Sequence, residues 1–575
     1  MRRFRVWAPS RRKVELCSGG RRNAMSAAPG GWWEFDDAGA TSGARYAFCL
    51  DGGEPRPDPR SPSQPDGVLG WSALVDHDTF RWTDGEWRGF ELDGAVIYEM
   101  HTGTFSREGT FDGAIAHLGH LVDLGVDALE IMPVAEFSGD RGWGYDGVDL
   151  FAPHHAYGGP DGLKRLVDAC HGSGLGVILD VVYNHVGPVG NFLGEFGPYF
   201  SDRHRTAWGD AFNFDGDGSE EVRRFVIDNA LTWIRDYHFD GLRLDAVHAI
   251  ADVSPVHILE ELGKAVHELG DALGRSTLVI AESDANDPRL VRGAEAGGYG
   301  LDAVWSDDWH HSLHALLTGE RTGYYEDFGD AEHLAKALRQ AWVYDGQWSP
   351  HRRRIRGART DGLEPKRFVI AAQNHDQVGN RATGDRLAGI AREGELKAAA
   401  TLLLTSPFVA MLFQGEEWAA STPFLFFTDH ADQRLGHSVA EGRRREFAAF
   451  GWDPREIPDP QDPRTFERSR LDWDEVDETA HRDMLAWHRD LIRLRRTLRA
   501  RGPAITVAAG CENRYVAFDR DGLRVRVNLG DEPWRVEVGE NVRVVLASAE
   551  IERPAGGLIS IPPESVAVLE QKPST

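Results

Sequence analysis

The sequence is poor in cysteine, with four among 575 residues. The four are far apart and form no CxxC pair, which is unlike the spacing of a zinc site or of a disulfide-rich scaffold. We therefore expect neither, and we expect mainly buried thiols at Cys17, Cys49, Cys170 and Cys511.

Long apolar runs are also missing. No stretch reaches the roughly 20 apolar residues of a membrane helix. The chain runs from Met1 into a strand-like pattern, without the apolar core of a signal peptide. The sequence thus predicts no membrane partner and, by default, a cytoplasmic location.

Basic residues are in deficit, because 64 Lys and Arg stand against 91 Asp and Glu, giving a formal net charge of -27. Nucleic acids and anionic membranes attract basic surfaces, so this balance excludes such partners and favours a neutral substrate. No spacing indicates a metal site or an obligatory cofactor. Asp215 and Asp217, in FNFDGDGSEE, are interpreted as part of a solvated turn.

The chain is long enough for two or three domains, since 575 residues exceed what one hydrophobic core usually serves. Phe4 and Val6 alternate with polar neighbours, and similar short runs follow, which predicts an antiparallel β-sandwich over residues 1–87. The proline-rich segment 55–67 predicts an extended connection. Residues 501–575 alternate again, for instance at Val525, and predict an all-β domain.

Residues 88–500 have the pattern of a parallel sheet with crossover helices, in which short apolar runs alternate with amphipathic segments. Together with its neighbours this region predicts an α/β protein, a (β/α)8 TIM barrel flanked by an N-terminal β-sandwich and a C-terminal all-β domain. The eight predicted strands are 96–100, 128–132, 177–182, 241–244, 278–281, 303–305, 368–372 and 408–413.

Polar residues follow several of these strands at their carboxyl ends, where barrel active sites are built. A single Asp or His at a strand end is more often a cap or a structural hydrogen-bonding group, but four such ends together indicate a site. The four segments are DVVYNH (180–185), GLRLDAVH (241–248), IAES (280–283) and AAQNHDQ (371–377).

Asp245 and Glu282 have the properties that cleavage of a glycosidic bond requires, namely one carboxylate and one carboxylic acid. Arg243 precedes Asp245 by two residues, so both side chains should point to the same side of the strand, where the guanidinium keeps the carboxylate ionised. Glu282 follows an apolar run, and partial burial should raise its pKa.

Asp376 is a third candidate catalytic carboxylate, placed to bind sugar hydroxyls beside the reacting carbon. His375 and His185 could hold the same sugar ring, or they could make structural hydrogen bonds; the sequence leaves both interpretations open.

The four segments resemble, in the same order, the signature regions of the α-amylase superfamily. This resemblance implies that Asp245 is the nucleophile, Glu282 the general acid/base and Asp376 the transition-state stabiliser. Tyr145, in GWGYD, is similar to the residue whose ring stacks on the reactive sugar. The opening FRVWAP resembles the immunoglobulin-like, glucan-binding sandwich that precedes the barrel in branching, debranching and trehalose-releasing enzymes.

Further segments, among them WSDDWHHSLH (305–314) and LFQGEEWAASTPFLFFTDH (412–430), resemble the maltooligosyltrehalose trehalohydrolases. The resemblance implies retaining hydrolysis of the α-1,4 bond beside a terminal α,α-trehalose unit, and functional pairing with an enzyme that forms maltooligosyltrehalose. Two alternatives stay open: a glucan branching enzyme, and a catalytically inactive glucan-binding protein.

Substrate contacts are expected from loops beyond the strand ends. Trp305 and the aromatic cluster Phe424, Phe426 and Phe427 could stack on sugars or merely pack. The predicted substrate-binding residues are Tyr145, His185, Arg243, Leu244, Ala246, Val247, His248, Asp284, Asp307, Asp308, Trp309, His310, His311, His375, Gln377, Val378, Gly379 and Asn380.

Overall fold

The computed structural model describes residues 2–449, 452–453, 455–499, 502, 504–510, 514–554 and 556–571. Cys511 and the predicted domain boundary at residue 501 lie outside these ranges. Within them, no helix is long and apolar enough to cross a membrane.

The N-terminal region is a pair of antiparallel sheets, as predicted. One sheet has the order β1-β5-β4 and the other β3-β2-β6-β7, with β8 added to β6. Phe4 and Tyr46 meet between the sheets, with ring centroids 5.0 Å apart. The strands are β1 (Arg2–Trp7), β2 (Val14–Ser18), β3 (Arg21–Ala24), β4 (Ser26–Ala28), β5 (Trp32–Asp37), β6 (Arg45–Leu50), β7 (Pro55–Arg56) and β8 (Ser72–Ala73).

Two of the cysteines are not free thiols, and that part of the sequence prediction is wrong. Cys17 and Cys49 form a disulfide between β2 and β6. The register pairs Cys17 with Ala47, so Cys49 is its diagonal neighbour on the adjacent strand. Only the strand register brings the two together, and spacing along the chain does not reveal it. Cys170 is free and buried, as expected.

The central region forms a closed parallel barrel in the order β9-β10-β13-β16-β17-β18-β21-β22, which confirms the predicted fold. Each predicted strand coincides with an observed one to within a residue at either end. The strands of this region are β9 (Val96–Met100), β10 (Ala128–Ile131), β11 (Ala135–Glu136), β12 (Asp149–Pro153), β13 (Gly176–Val181), β14 (Phe200–Thr206), β15 (Gly209–Phe212), β16 (Gly241–Leu244), β17 (Leu278–Ala281), β18 (Ala303–Trp305), β19 (Gln347–Ser349), β20 (Arg354–Arg356), β21 (Phe368–Ala371) and β22 (Val409–Phe413).

The helices pack around the barrel with their apolar faces inward. In α6, Val222, Phe225, Val226 and Trp233 are buried on one face, and the first turn is acidic, which suits the helix dipole. The helices are α1 (Thr102–Phe105), α2 (Phe111–Ile115), α3 (Leu118–Leu124), α4 (Gly159–Gly172), α5 (Leu193–Phe196), α6 (Ser219–Asp236), α7 (Ile258–Leu273), α8 (Asp307–Thr318), α9 (Ala331–Gln340), α10 (His375–Gly379), α11 (Leu387–Ile390), α12 (Glu393–Thr405), α13 (Gln433–Ala449), α14 (Pro463–Arg468) and α15 (Thr479–Leu498).

The C-terminal region is all-β, as predicted. Its larger sheet has the order β23-β24-β25-β29-β27, and β26 pairs with β28. Val525 and Val527 are buried in its core, whereas their neighbours on β25 alternate less regularly than expected, because Arg526 and Asn528 are buried too. The strands are β23 (Thr506–Gly510), β24 (Tyr515–Arg520), β25 (Leu523–Asn528), β26 (Trp534–Glu537), β27 (Val542–Ala547), β28 (Leu558–Ile561) and β29 (Ser565–Gln571).

Gly187 lies where the loop after β13 touches the loop that carries Tyr145 and Asp146. A Cβ atom at Gly187 would lie 2.0 Å from the backbone oxygen of Asp146. Gly187→Ala should therefore destabilise the fold by about 1–3 kcal/mol through overpacking, seen as a lower midpoint of thermal unfolding.

Gly172→Ala is the matched control, since nothing lies within 4 Å of a Cβ atom there and the residue is helical. Its unfolding midpoint should stay equal to that of the wild type or rise slightly. Equal midpoints for both variants would contradict the close approach at Gly187.

Candidate active site

A cavity of about 520 Å³ opens at the carboxyl ends of the barrel strands, and the three predicted catalytic carboxylates all face it. Asp245 and Glu282 directly follow β16 and β17, and Asp376 lies in α10, just after β21. Thirteen of the predicted site residues line this site cavity: Tyr145, His185, Asp245, Ala246, His248, Glu282, Asp284, Asp307, His311, His375, Asp376, Gln377 and Asn380.

Arg243 lies beneath the site cavity and joins three carboxylates. Its Nη1 is 2.8 Å from both Asp180 Oδ2 and Asp245 Oδ1, and its Nη2 is 3.6 Å from Glu282 Oε2. The side chain is fully buried. Burial alone would lower the pKa of Arg243, but the surrounding acidic groups raise it, so the guanidinium stays charged. Its cation lies over the ring of Trp305, 4.3 Å from the centroid, which explains why Trp305 packs below the cavity rather than lining it.

Glu282 has a protonation behaviour that differs from that of an exposed carboxylate. Burial raises its pKa well above the ordinary value, Arg243 opposes this, and Asp245 adds to it. The sequence prediction that burial raises the pKa of Glu282 is thus confirmed. The backbone N–H of Ala246 donates to Glu282 Oε2 at 2.6 Å, and Ala246 adopts a left-handed conformation with φ 41°. This strained backbone aims the N–H at the carboxyl group.

Asp245 is also held from the side of β13. Asn184 Nδ2 donates to Asp245 Oδ2 at 2.8 Å. The neighbouring His185 contacts Asn184 through Nδ1 and lies 3.1 Å from the backbone oxygen of Tyr145 through Nε2. His185 therefore has a structural role as well as a place in the cavity wall, where its ring stacks on Trp208.

A chain of short hydrogen bonds fixes His375. Its Nδ1 is 2.5 Å from Glu99 Oε1, and its Nε2 is 2.7 Å from the hydroxyl of Tyr145, which in turn donates to Asp180 Oδ2 at 2.6 Å. Burial alone would lower the pKa of His375, but the Glu99 and Asp376 carboxylates raise it to about 9. His375 is therefore an imidazolium at neutral pH, 3.6 Å from Asp376 Oδ1.

The opposite wall of the site cavity is rich in charge. Arg352 Nη2 lies 2.5 Å from Asp284 Oδ2, and His248 Nδ1 lies 4.0 Å from the other oxygen of that carboxylate. Burial raises the pKa of the nearby Asp307 to about 7, with Asp284 adding to the effect. His311 is buried and its pKa is well below the ordinary value, so it is neutral.

Eight predicted substrate-binding residues do not line the site cavity. Asp308 is fully buried and accepts hydrogen bonds from the backbone N–H groups of Val343 and Tyr344. Trp309 is fully buried in the core, and His310 Nδ1 lies 2.7 Å from the backbone oxygen of Ala372. The complete set is Arg243, Leu244, Val247, Asp308, Trp309, His310, Val378 and Gly379.

The phenylalanines of the loop after β22 have two roles, since two of them line the cavity and one packs in the core. Phe426 and Phe427 line the site cavity, whereas Phe424 is fully buried and stacks on Trp143 at 5.2 Å. Gly379 belongs to the same packing, since a Cβ atom there would lie 2.1 Å from the Trp143 ring.

Sequence reasoning missed a second group of lining residues, which lie mostly on hairpins and late loops. An isolated tryptophan in a polar stretch was a usable signal for Trp208, and the arginine run 352–354 was one for Arg352. The missed residues are Trp143, Asp146, Trp208, Glu320, Thr322, Tyr324, Tyr325, Arg352, Arg381, Thr428, Arg443 and Trp452.

The predicted solvated turn at Asp215 is also different in the structure. The Asp215 side chain is 2 % exposed and contacts Arg203 and His204. Among the described residues, no group of three potential metal ligands lies in the lining of the site cavity.

Comparisons with known proteins agree with this geometry. Residues 75–198 match the family model "Alpha amylase, catalytic domain", and residues 499–568 match "Domain of unknown function (DUF3459)". Malto-oligosyltrehalose trehalohydrolase from Arthrobacter ramosus is 51% identical over 97% of both chains, and that of Mycobacterium tuberculosis is 48% identical over 94% of both. The crystal structure of a putative alpha amylase from Salmonella typhimurium, 40% identical, superimposes with a TM-score of 0.91 over 99% of this chain and 97% of that one. The chain belongs to the malto-oligosyltrehalose trehalohydrolase family, whose barrel is of the α-amylase type.

Proposed function

We propose that the protein hydrolyses the α-1,4 bond that joins a maltooligosaccharide to a terminal α,α-trehalose unit, releasing trehalose and a shorter glucan. The observation that carries the proposal is the convergence of Asp245, Glu282 and Asp376 in one cavity. The near-full-length similarity to proteins named for this activity supports the choice of substrate.

In the proposed reaction Asp245 attacks the anomeric carbon while Glu282 protonates the departing oxygen, which breaks the glycosidic bond and leaves a covalent glucosyl-enzyme. Glu282 then removes a proton from water, which displaces Asp245 and gives a product of retained configuration. Retaining enzymes hold the two carboxyl groups about 5–5.5 Å apart. Contact of both groups with one guanidinium is consistent with such a short separation.

The surroundings of the two groups suit these roles. Asp245 makes a direct ion pair with Arg243 at 2.8 Å, which would hold the nucleophile in position. Glu282 is more distant from that guanidinium and its pKa is raised by burial, so it can hold a proton at neutral pH.

Asp376 and His375 would bind the hydroxyl groups of the same glucose ring. Asp376 is 43% exposed and faces the cavity, and Asn380 Nδ2 donates to its Oδ1 at 3.1 Å. The Nε2–H of the cationic His375 faces the Tyr145 hydroxyl and would be shared with a sugar oxygen. This N–H is present only while Glu99 keeps the ring protonated, which makes Glu99 a positioning residue.

Specificity must be decided on the leaving-group side, because the bond that is cut is the same as in other α-amylase-type enzymes. We assign trehalose recognition to the wall formed by His248, Asp284, Asp307 and Arg352, whose polar groups match a hydroxyl-rich disaccharide. The substrate requires a partner enzyme that forms the terminal trehalose unit, and we propose that both act in the cytoplasm.

The substrate assignment is tested by product analysis. Incubation with maltooligosyltrehalose should release free trehalose, because water is the expected acceptor. Incubation with amylose alone should give no α-1,6 linkage, as measured by chromatography and proton NMR. New branches without trehalose would instead identify a glucan branching enzyme.

Loss of the nucleophile should abolish turnover without abolishing binding. Asp245→Ala is expected to lower kcat by roughly four orders of magnitude while maltooligosyltrehalose still binds, as measured by calorimetry. Asp271→Ala, at an exposed carboxylate near the end of α7, is the control and should keep the wild-type rate. Wild-type turnover in Asp245→Ala would remove Asp245 from the mechanism.

Glu99 and Glu130 give a matched test of the His375 cation, because they are paired in register on β9 and β10 and are both buried. Glu99→Gln removes the charge that holds the proton on His375, so kcat/KM at pH 8 should fall by about ten- to a hundredfold, the value of a hydrogen bond to a charged group. Acid should restore the imidazolium, so the deficit relative to the wild type should shrink as the pH falls.

Glu130→Gln is the control. Burial raises the pKa of Glu130 well above the ordinary value, which favours its neutral form, so the amide should change the charge beside His375 less than Glu99→Gln does. Its pH–rate profile should match that of the wild type. A pH-independent deficit in Glu99→Gln would contradict the role of the cation and indicate a merely structural effect.

A further inference from the structure

Two histidines and a glutamate lie together at the base of the hairpin that carries Tyr145. Glu136 ends β11, and His154 and His155 directly follow β12, its antiparallel partner. Glu136 and His154 have fully buried side chains, and that of His155 is 30% exposed. One ligand atom from each residue lies within 4.8 Å of the other two.

His154 is not explained by packing alone. Both of its ring nitrogens are buried and have no hydrogen-bond partner. Its ring is fixed by stacking on Phe137, with centroids 3.8 Å apart, and its Nδ1 is 3.2 Å from Glu136 Oε1 without the geometry of a hydrogen bond. Unpartnered buried polar atoms are costly and rare, so a buried nitrogen aimed at a carboxylate, with a second histidine beside them, has the arrangement of a ligand set.

We propose that Glu136, His154 and His155 bind one zinc ion. The donor set of two imidazole nitrogens and one carboxylate oxygen is typical of zinc, whereas calcium and magnesium prefer oxygen ligands alone. Ligands held at 2.0–2.2 Å by a tetrahedral ion lie about 3.3 Å from one another. Glu136 Oε1 lies 3.2 Å from His154 Nδ1 and 2.7 Å from His155 Nδ1. Binding of the ion would widen these distances by about 0.1 and about 0.6 Å.

The surroundings complete the coordination. The backbone N–H of His155 donates to Glu136 Oε2 at 2.8 Å. Oε1 shares a 2.7 Å hydrogen bond with His155 Nδ1, and the zinc ion would replace the proton of that bond. Asp140 Oδ1 lies 3.4 Å from His155 Nε2, as the carboxylate behind a metal-bound histidine often does. With three protein ligands, a water molecule would be the fourth.

The ion would stabilise the site cavity from behind rather than take part in the reaction. The segment between β11 and β12 carries Trp143 and Tyr145, both in the cavity lining. Closing the base of this hairpin with a metal would limit the movement of the Tyr145 ring.

Metal titration of the full chain tests the site. The protein is stripped with a chelator, and zinc binding is followed by calorimetry and by the midpoint of thermal unfolding. The wild type should bind one zinc ion per chain and unfold at a higher temperature when the metal is present, because the ion binds only the folded state. Absence of zinc binding by the wild type would overturn the proposal.

Variants separate this site from adventitious binding. His154→Phe keeps an aromatic ring against Phe137 and should lose the ion, as should His155→Gln, which serves if the first variant does not fold. Asp140→Asn should weaken zinc binding about tenfold. The control is His437→Ala, which removes an exposed histidine 3.2 Å from Glu441 and should keep full binding. Equal zinc uptake by His155→Gln and the wild type would contradict the assignment.

Discussion

Arg243 is a fully buried cation whose nearest charged neighbours are Asp180, Asp245 and Glu282. A buried charge without partners is costly, so the guanidinium requires these carboxylates close at hand. The barrel register meets that requirement, since it pairs Asp180 on β13 with Arg243 on β16 and sets β17 beside them. The contacts that stabilise the buried guanidinium therefore also bring together the acidic groups of three adjacent strands.

Asp245 and Glu282 lie at different distances from Arg243, and this difference separates their proposed roles. Asp245 contacts the guanidinium at 2.8 Å, whereas Glu282 is 3.6 Å away and its pKa is raised by burial. Two carboxyl groups in one cavity can thus differ in protonation, which the proposed roles of nucleophile and acid require. His375 is a second cation at the site. Glu99, in the barrel interior, helps to keep it protonated, and it lies 3.6 Å from the third carboxylate, Asp376.

The barrel and its three carboxylates were predictable because the apolar periodicity marks each strand and the fold dictates which ends of the strands converge. The positions of side chains that are set by tertiary contacts were not predictable from the sequence. Trp309 lies in a segment that contributes other residues to the cavity, but its position on α8 places its own side chain in the core. Trp208 and Arg352 reach the cavity from hairpins, and Cys17 meets Cys49 through a register that spacing along the chain does not encode.

We propose that Arg243 presents Asp245 as the nucleophile, which can be tested by trapping the covalent intermediate. The enzyme would be incubated with a slowly hydrolysed fluorinated glucosyl donor, digested, and analysed by mass spectrometry. We expect one glucosyl group on the peptide that contains Asp245, and strongly slowed labelling in Arg243→Lys. A label on Glu282 or Asp376 would contradict it.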